Sequence, residues 1–306
     1  MPGLSRRVVA AALCGVIAAG GAGGCGDASR TKPFTGELRW QRPALHRPLT
    51  VRVGARGGEL WLKPSQDYRV ALTAPVRALG GLVIHGGRNI VLVGGRITIP
   101  PAGRDPSPQQ RRALYLDGQS GVVHLEGLLI DNSGGDLSEG IQIAAPRAVV
   151  QIENTRVEGI HARDPVGFSD NHPDLIQPGG GVGTLRVHRF SGTTAGQGLF
   201  LRGDRAPIGR VQLSEVNVVG LHGARILLWK RCTKPYPAPC TGPDFPLELN
   251  DVWASPAPGR RFERSLKPER PDRTWSEVRE GVPPGGDFVT KAELRRRYPL
   301  DGRGRK

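Results

Sequence analysis

Short aliphatic dyads, spaced two residues apart, recur through the middle of the chain. One series is Leu82/Ile84, Leu114/Leu116, Ile141/Ile143, Ile176/Pro178, Leu199/Leu201 and Ile226/Leu228. A second is Val91/Val93, Val123/Leu125, Val150/Ile152, Leu185/Val187, Val211/Leu213 and Leu247/Leu249. The second dyad starts 9 residues after the first in four repeats, 12 after it in the fifth and 21 after it in the sixth; only Pro178 breaks the aliphatic rule. Alternation with period two makes each dyad a short strand with one buried face. The constant interval, with glycine inside it, makes a repeated corner. A third alternating run often follows: Leu128/Ile130, Thr155/Val157, Val216/Val218 and Val252/Ala254. Two or three short strands cannot bury their own apolar face, whereas like strands stacked about 4.8 Å apart can. The pattern predicts an all-β parallel solenoid whose six layers span roughly 25–30 Å. A sandwich of hairpins would not need the same corner to recur. Between successive runs Asp117-Gly118 alone carries a hairpin signal, and it sits inside the repeated corner.

Segments such as Glu139-Gly140-Ile141-Gln142-Ile143 and His172-Pro173-Asp174-Leu175-Ile176-Gln177 are strand starts of a recognisable kind. Together with the repeat, over about residues 78–255, they resemble the right-handed parallel β-helix proteins of the pectate-lyase-like superfamily. The resemblance implies the fold. It leaves the activity open, because lyases, hydrolases, epimerases and non-catalytic adhesins share that fold. Residues 26–77 are less regular. Leu60/Leu62 and Tyr68/Val70/Leu72 read there as short strands capping the first layer, where a bare solenoid end would expose a sheet edge. Residues 256–306 form a tail, with a short helix starting at Thr290 and running through Lys291–Tyr298 to Pro299.

The first 24 residues read as an export signal: Arg6 and Arg7, then an apolar run from Val8 to Ala19 too short to remain as a membrane span. Ala22-Gly23-Gly24-Cys25 resembles a bacterial lipobox, with Ala22 where leucine is usual, so Cys25 is the expected lipid anchor; plain secretion is the alternative. Cys232 and Cys240 bracket a proline-rich loop and are expected to form a disulfide in an exported chain. A formal charge of +15 favours polyanions. Export turns that preference away from nucleic acid and toward an acidic polysaccharide or cell-envelope glycan, met by a monomer whose membrane contact is the lipid alone.

The connections that lead into the first dyads are long: 23 residues from Val91 to Leu114, 18 from Val123 to Ile141 and 26 from Val150 to Ile176. They leave from one side of the solenoid, where binding residues collect on a rigid scaffold. The longest of them, Gly159 to Asp174, holds Asp164, Asp170, Asn171, His161 and His172. Aligning Ile141 with Ile176 stacks Glu139 on Asp174 and Gln142 on Gln177, with Gln197 following Asp174 and Arg202 on the outer face one layer further. Two stacked carboxylates repel unless one is protonated or a cation intervenes, which suits a general acid/base pair or a Ca²⁺ site. Asp174, His172, Asp170 and Glu139 are the candidate catalytic groups, and Gln142, Gln177 and Arg202 the candidate substrate contacts. The same residues at solenoid corners also cap turns and form amide ladders.

Full polygalacturonase signatures are absent, and His222-Gly223 with Arg225-Ile226 are fragments at the wrong spacing. A pectate lyase pairs Ca²⁺ carboxylates with an Arg or Lys base, a role open to Arg202, Arg225 or Lys230. The expectation is therefore an exported β-helix acting as a lyase or glycoside hydrolase on an acidic polysaccharide, or a non-catalytic module binding envelope glycan or a protein partner. Trp61, Trp229, Trp253, Trp275 and Tyr115 are the sugar-stacking candidates outside the core. His85, His124, His161, His188 and His222 read as ordinary surface or groove histidines.

Overall fold

The computed structural model describes residues 38–101, 107–133, 139–161, 173–231, 244–268, 273–298 and 300. Asp170, His172, Cys25, Cys232 and Cys240 lie outside the described residues. Parallel strands stack in register along one axis, and the chain is a parallel β-helix. A first stack runs through Gly58–Leu62, Leu82–Gly86, Arg112–Asp117, the start of Glu139–Ile160, Asp174–Gln177, Gln197–Arg202, Ile226–Arg231 and Leu266–Lys267. A second runs through Leu49–Val53, Tyr68–Leu72, Ile90–Val93, Val122–Glu126, the middle of Glu139–Ile160, Val182–Thr194, Ile208–Gly220 and Leu247–Ser255. The third alternating run continues the second stack around a corner, as Ile130 beside Val157 shows. The parallel stacking begins at Leu49, inside the stretch expected to cap the solenoid, and extends past Pro256 into Leu266–Lys267 and Arg279–Glu280.

The inward columns form one core: Leu82, Leu114, Ile141, Ile176, Leu199 and Leu228 from the first stack, and Ile90, Val123, Val150, Leu185 and Val211 from the second. Two dyads differ from the expected phase. In the first repeat Ile90 and Leu92 point inward and are paired with Val123 and Leu125, while Val91 and Val93 face out. Ile90–Val93 is aliphatic at every position, and the corner holding Gly86 and Gly87 is one residue shorter than the next one. In the sixth repeat Leu228 aligns with Leu199, and Ile226 with Gln197. Lys230 then falls opposite Leu201 in the inward column. It stays there by placing Nζ over the Phe245 ring, 4.8 Å from its centre, and 2.6 Å from Asp244.

The corner from the second stack into the third run has a residue with φ between 49° and 72° in each of six layers: Gly94, Gly127, Asn154, Arg189, Glu215 and Asp251; in the first of them Gly95 follows with φ 102°. Asn and Asp tolerate that region. Arg189, which does not favour it, is held by hydrogen bonds from Nε to Asn154 Oδ1 (3.2 Å) and from Nη1 to Glu215 (3.2 Å), its neighbours above and below.

Both ends of the described chain run back across the outer surface of the second stack. On the amino-terminal side, Arg39 Nη1 donates to Ser214 Oγ, Trp40 N–H to Glu153 Oε1 (2.8 Å) and Arg42 Nε to Glu126 Oε2 (2.6 Å). On the carboxy-terminal side, Phe288 N–H donates to Asn217, Val289 N–H to Ser191 Oγ, and Arg156 pairs with Asp287. The helix Lys291–Arg297 follows, capped by Thr290 and Glu293 in a reciprocal capping box. Lys291 reaches Glu158 and Asp131, and Tyr298 Oη donates to Glu126 Oε1 (3.1 Å). The two straps meet at Glu126.

Candidate functional site

Strand parity assigns the outer face of the first stack. In one outward column Val83, Tyr115, Gln142, Gln177, Phe200, Trp229 and Lys267 follow one another layer by layer. A neighbouring column starts with Trp61, His85 and Asp117, and near the far end of the stack Arg202 lies beside Arg231. The side chains group into two platforms with a polar centre between them. At one end Trp61, 76% exposed, stacks on His85 with ring centroids 3.9 Å apart, and Arg112 covers the Tyr115 ring. His85 Nδ1 lies 2.8 Å from Asp117, and Nε2 lies 3.8 Å from Glu59. At the other end Phe200 and Trp229 stack at 4.2 Å, covered by Arg202 (5.1 Å) and Arg231 (5.9 Å) respectively.

Gln142 and Gln177 make the centre. The Gln142 amide donates to Gln177 Oε1 (2.7 Å) and to Glu139 Oε2 (3.0 Å), so the stacking expected from the alignment is present and Glu139 shares the outward face. Arg112 lies 3.5 Å from Glu139 and Arg111 lies 3.9 Å from it, so its charge is balanced from the layer before. Asp174 opens the next strand of the stack, 1% exposed and paired in register with Gln197. Close approach of the two strands needs the glycine that follows Glu139: a Cβ on Gly140 would sit 2.2 Å from Leu175 O. Of the expected catalytic set, the structure brings Glu139 and Asp174 to adjacent layers at the strand starts, where Asp174 has the phase of inward Ile176 and is buried. Among the described residues no group of three or more His, Cys, Asp or Glu is arranged to hold a metal ion.

Arg202 lies on the expected outer face. Its guanidinium grips Asp204 through Nε (3.2 Å) and Nη2 (2.9 Å), and Arg231 Nε reaches the same carboxylate at 3.2 Å. Two arginines around one aspartate leave a cationic surface above the Phe200–Trp229 platform. Lys230, a candidate base, is buried in the inward column and ion-paired, and so is removed from the face. Trp275 is also buried, donating Nε1–H to Lys267 O at 2.7 Å, and is not a platform. Phe200 escaped the sequence reading; its place between inward Leu199 and Leu201 makes it an outward residue, but its ring is buried and Trp229 is the accessible member of that pair.

The outer face of the second stack has the opposite character. His124, Glu126, Glu153 and His188 line it and are buried under the amino-terminal strap, against the expectation of surface histidines. His124 Nδ1 sits 2.8 Å from the Gln151 amide, and Trp40 meets the His188 ring edge-on. Burial raises Glu153 to about 7, opposed by N–H donors from Trp40 and Arg39. Burial also raises Glu126, but hydrogen bonds from His124, Arg42 and Tyr298 outweigh it and hold the carboxylate at about 2. Burial, reinforced by Arg39, lowers His188 to about 4. These groups are spent on holding the strap and offer no surface to a ligand.

No protein-family model, curated protein or solved structure matches this chain. The site's own geometry therefore carries the functional argument.

Proposed function

We propose that the protein acts on an acidic polysaccharide laid along the outer face of the first stack, parallel to the solenoid axis. The observation that carries this reading is the exposed Trp61–His85 stack at one end and the half-buried Trp229 ring, backed by buried Phe200, at the other, flanking the Gln142–Gln177 amides. Aromatic faces stack on sugar rings, amides bond hydroxyls, and guanidinium groups take carboxylates or sulfates in a forked geometry. Arg112, Arg202 and Arg231 border the platforms, and the whole chain is strongly basic. Export, with Cys25 as lipid anchor, would bring this face to envelope or environmental glycans. The fold fits a pectate-lyase-like ancestry, in which such a face is the working surface.

For chemistry, Asp174 is the central group, with Glu139 one layer away; Asp170 and His172, four and two residues before it in the sequence, would assist. A buried carboxyl beside a second one is suited to proton transfer at the bridging oxygen or at the carbon next to a uronate. Arg202 would face the substrate carboxylate. A second reading, a non-catalytic glycan-binding module, draws on the neutralisation of Glu139 by Arg111 and Arg112.

Incubation with a panel of uronic-acid polymers separates these readings. An unsaturated product absorbing in the ultraviolet marks elimination, new reducing ends without that absorbance mark hydrolysis, and retention of the polymer unchanged marks the binding module. Asp174→Asn is expected to abolish turnover with the thermal midpoint unchanged. A loss of activity only in proportion to a fall of several degrees would make Asp174 a turn cap instead. Absence of both turnover and binding across the panel would refute the proposal.

A further inference from the structure

The Trp61 end of the first-stack face carries a titratable group that the proposed chemistry does not use. Trp61, His85 and Asp117 come from three successive layers and are paired in register, so their side chains leave the sheet one after another on its outer face. Glu59, two residues before Trp61 on the same strand, shares that face. The imidazole of His85 is enclosed by these neighbours. The Trp61 indole covers one face of it, with ring centroids 3.9 Å apart and planes 14° from parallel. Asp117 Oδ2 lies 2.8 Å from Nδ1, and Glu59 Oε2 lies 3.8 Å from Nε2. The Tyr115 ring meets the imidazole edge-on at 6.5 Å, and the Arg112 guanidinium lies over the Tyr115 ring. Glu59, Asp117, Tyr115 and Arg112 are thus the ionisable groups that the adjoining strands bring to His85.

The 2.8 Å contact selects the neutral tautomer. A carboxylate at that distance requires a proton on Nδ1, which leaves the lone pair on Nε2. That lone pair faces the Glu59 carboxylate, acceptor against acceptor. A second proton, on Nε2, turns the contact into an ion pair, so that one imidazolium joins a carboxylate from the layer before to one from the layer after. It also sets a cation against the electron-rich face of Trp61, an attraction the neutral ring does not offer. Both changes fasten the stack. The charge at this end moves in the same sense. Two carboxylates beside a neutral imidazole carry two negative charges, and beside an imidazolium they leave one, so an anionic ligand is repelled less. Histidine is the side chain suited to making this change between about pH 5 and 8.

We infer that His85 is a proton-sensitive seat for Trp61: its imidazolium locks the indole in the stacked position, and a sugar chain binds this end of the face more tightly in mild acid than in mild alkali. The inference rests on the reading of the first-stack face as a polysaccharide groove and adds to it a dependence on pH with a single residue as its source.

The test measures binding by calorimetry at pH 5 and pH 8 with a galacturonate hexamer, whose carboxylates are ionised at both values, and with a neutral cellulose hexamer. The parent is expected to lose about tenfold in affinity for the galacturonate probe between pH 5 and pH 8. The loss should be smaller for the neutral probe, which feels the seat but not the charge. His85→Gln keeps a donor for Asp117 and cannot ionise, so it should hold a thermal midpoint close to the parent's and bind each probe equally at the two pH values. Glu59→Gln removes one of the two ion pairs and should fall between them. The indole N–H resonance of Trp61, assigned by its loss in Trp61→Phe, reports the seat without any sugar. It should move through a one-proton transition that His85→Gln abolishes. A resonance that stays in place, or the same pH dependence of binding in the parent and His85→Gln, would overturn the inference while leaving the groove intact. A His85-dependent movement of the Trp61 resonance without binding of either probe at either pH would uphold the seat and refute the groove.

Discussion

Glu153 offers a sharp test of how the amino-terminal strap is held. Its carboxyl group is fully buried on the outer face of the second stack, accepts N–H bonds from Trp40 (2.8 Å) and Arg39 (3.4 Å), and has His124 and Glu126 as charged or titratable neighbours. Burial raises it from 4.5 to about 7. A folded-state value above the unfolded one means that the folded chain binds the proton more tightly, so the stabilising contribution is complete below pH 4.5 and is lost as pH rises through 7. At roughly 1.4 kcal/mol per pH unit the loss approaches about 3 kcal/mol. In a chain of this size that corresponds to a fall in thermal midpoint of about 5 °C. His188 works in the opposite sense: lowered to about 4, it contributes stability above pH 6.5 that is lost as pH falls through 4. The parent curve sums both, so the comparison with Glu153→Gln isolates the carboxyl. The glutamine oxygen can keep the Trp40 bond and the side chain cannot ionise. Urea and thermal denaturation from pH 5 to pH 8 should show the variant close to the parent at pH 5 and more stable than it at pH 8, by 1 kcal/mol at the least and about 3 at most. Parallel curves for the two proteins would refute the argument that a buried, proton-holding carboxyl anchors the strap.

The remaining predictions concern packing. At Gly127, where φ is +68°, an added Cβ would lie 2.3 Å from the Tyr298 ring. Gly127→Ala should therefore release the carboxy-terminal strap, lower stability by about 2 kcal/mol or more, and expose the segment after Asp287 to limited proteolysis. Gln142→Leu removes the shared donor of Glu139 and Gln177 and should cost about 2 kcal/mol in urea denaturation. Adding Gln177→Leu should recover part of that loss, because it removes one of the two stranded acceptors.

The core was legible wherever a dyad stood isolated among polar residues. Leu114/Leu116, Val123/Leu125 and Ile141/Ile143 can face inward in only one phase, and their register follows. Ile90-Val91-Leu92-Val93 and Ile226-Leu227-Leu228 are apolar at consecutive positions, so alternation could not choose between phases that differ by one or two residues. The Gln142–Gln177 contact was legible because it needed only the Ile141–Ile176 alignment. The straps were not. Residues 39–46 and 285–290 are irregular segments without periodicity, held through backbone N–H groups and through single side chains that reach distant layers. The burial of His124 and His188 follows from the strap rather than from their own strands, and was hidden for the same reason.

The distribution of side chains over the outer surface is itself an argument for where function lies. The second stack turns ionisable groups outward, and the chain covers them: Glu126 binds both straps, and Glu153 fixes the first by two backbone donors. The first stack turns aromatic rings outward, and among the described residues neither strap crosses it. Solvent exposure alone would favour the reverse, since charged groups are well solvated and a ring such as Trp61, 76% exposed, gains nothing from water. Trp61 is nonetheless held flat against His85, and His85 is fixed by Asp117 in the next layer. Trp229 repeats the arrangement, stacked on buried Phe200 with arginines beside both rings. Trp61 and Trp229, held in rigid register at the two ends of this face, suit a ligand that has its own flat apolar faces and polar rims, and a sugar chain has both.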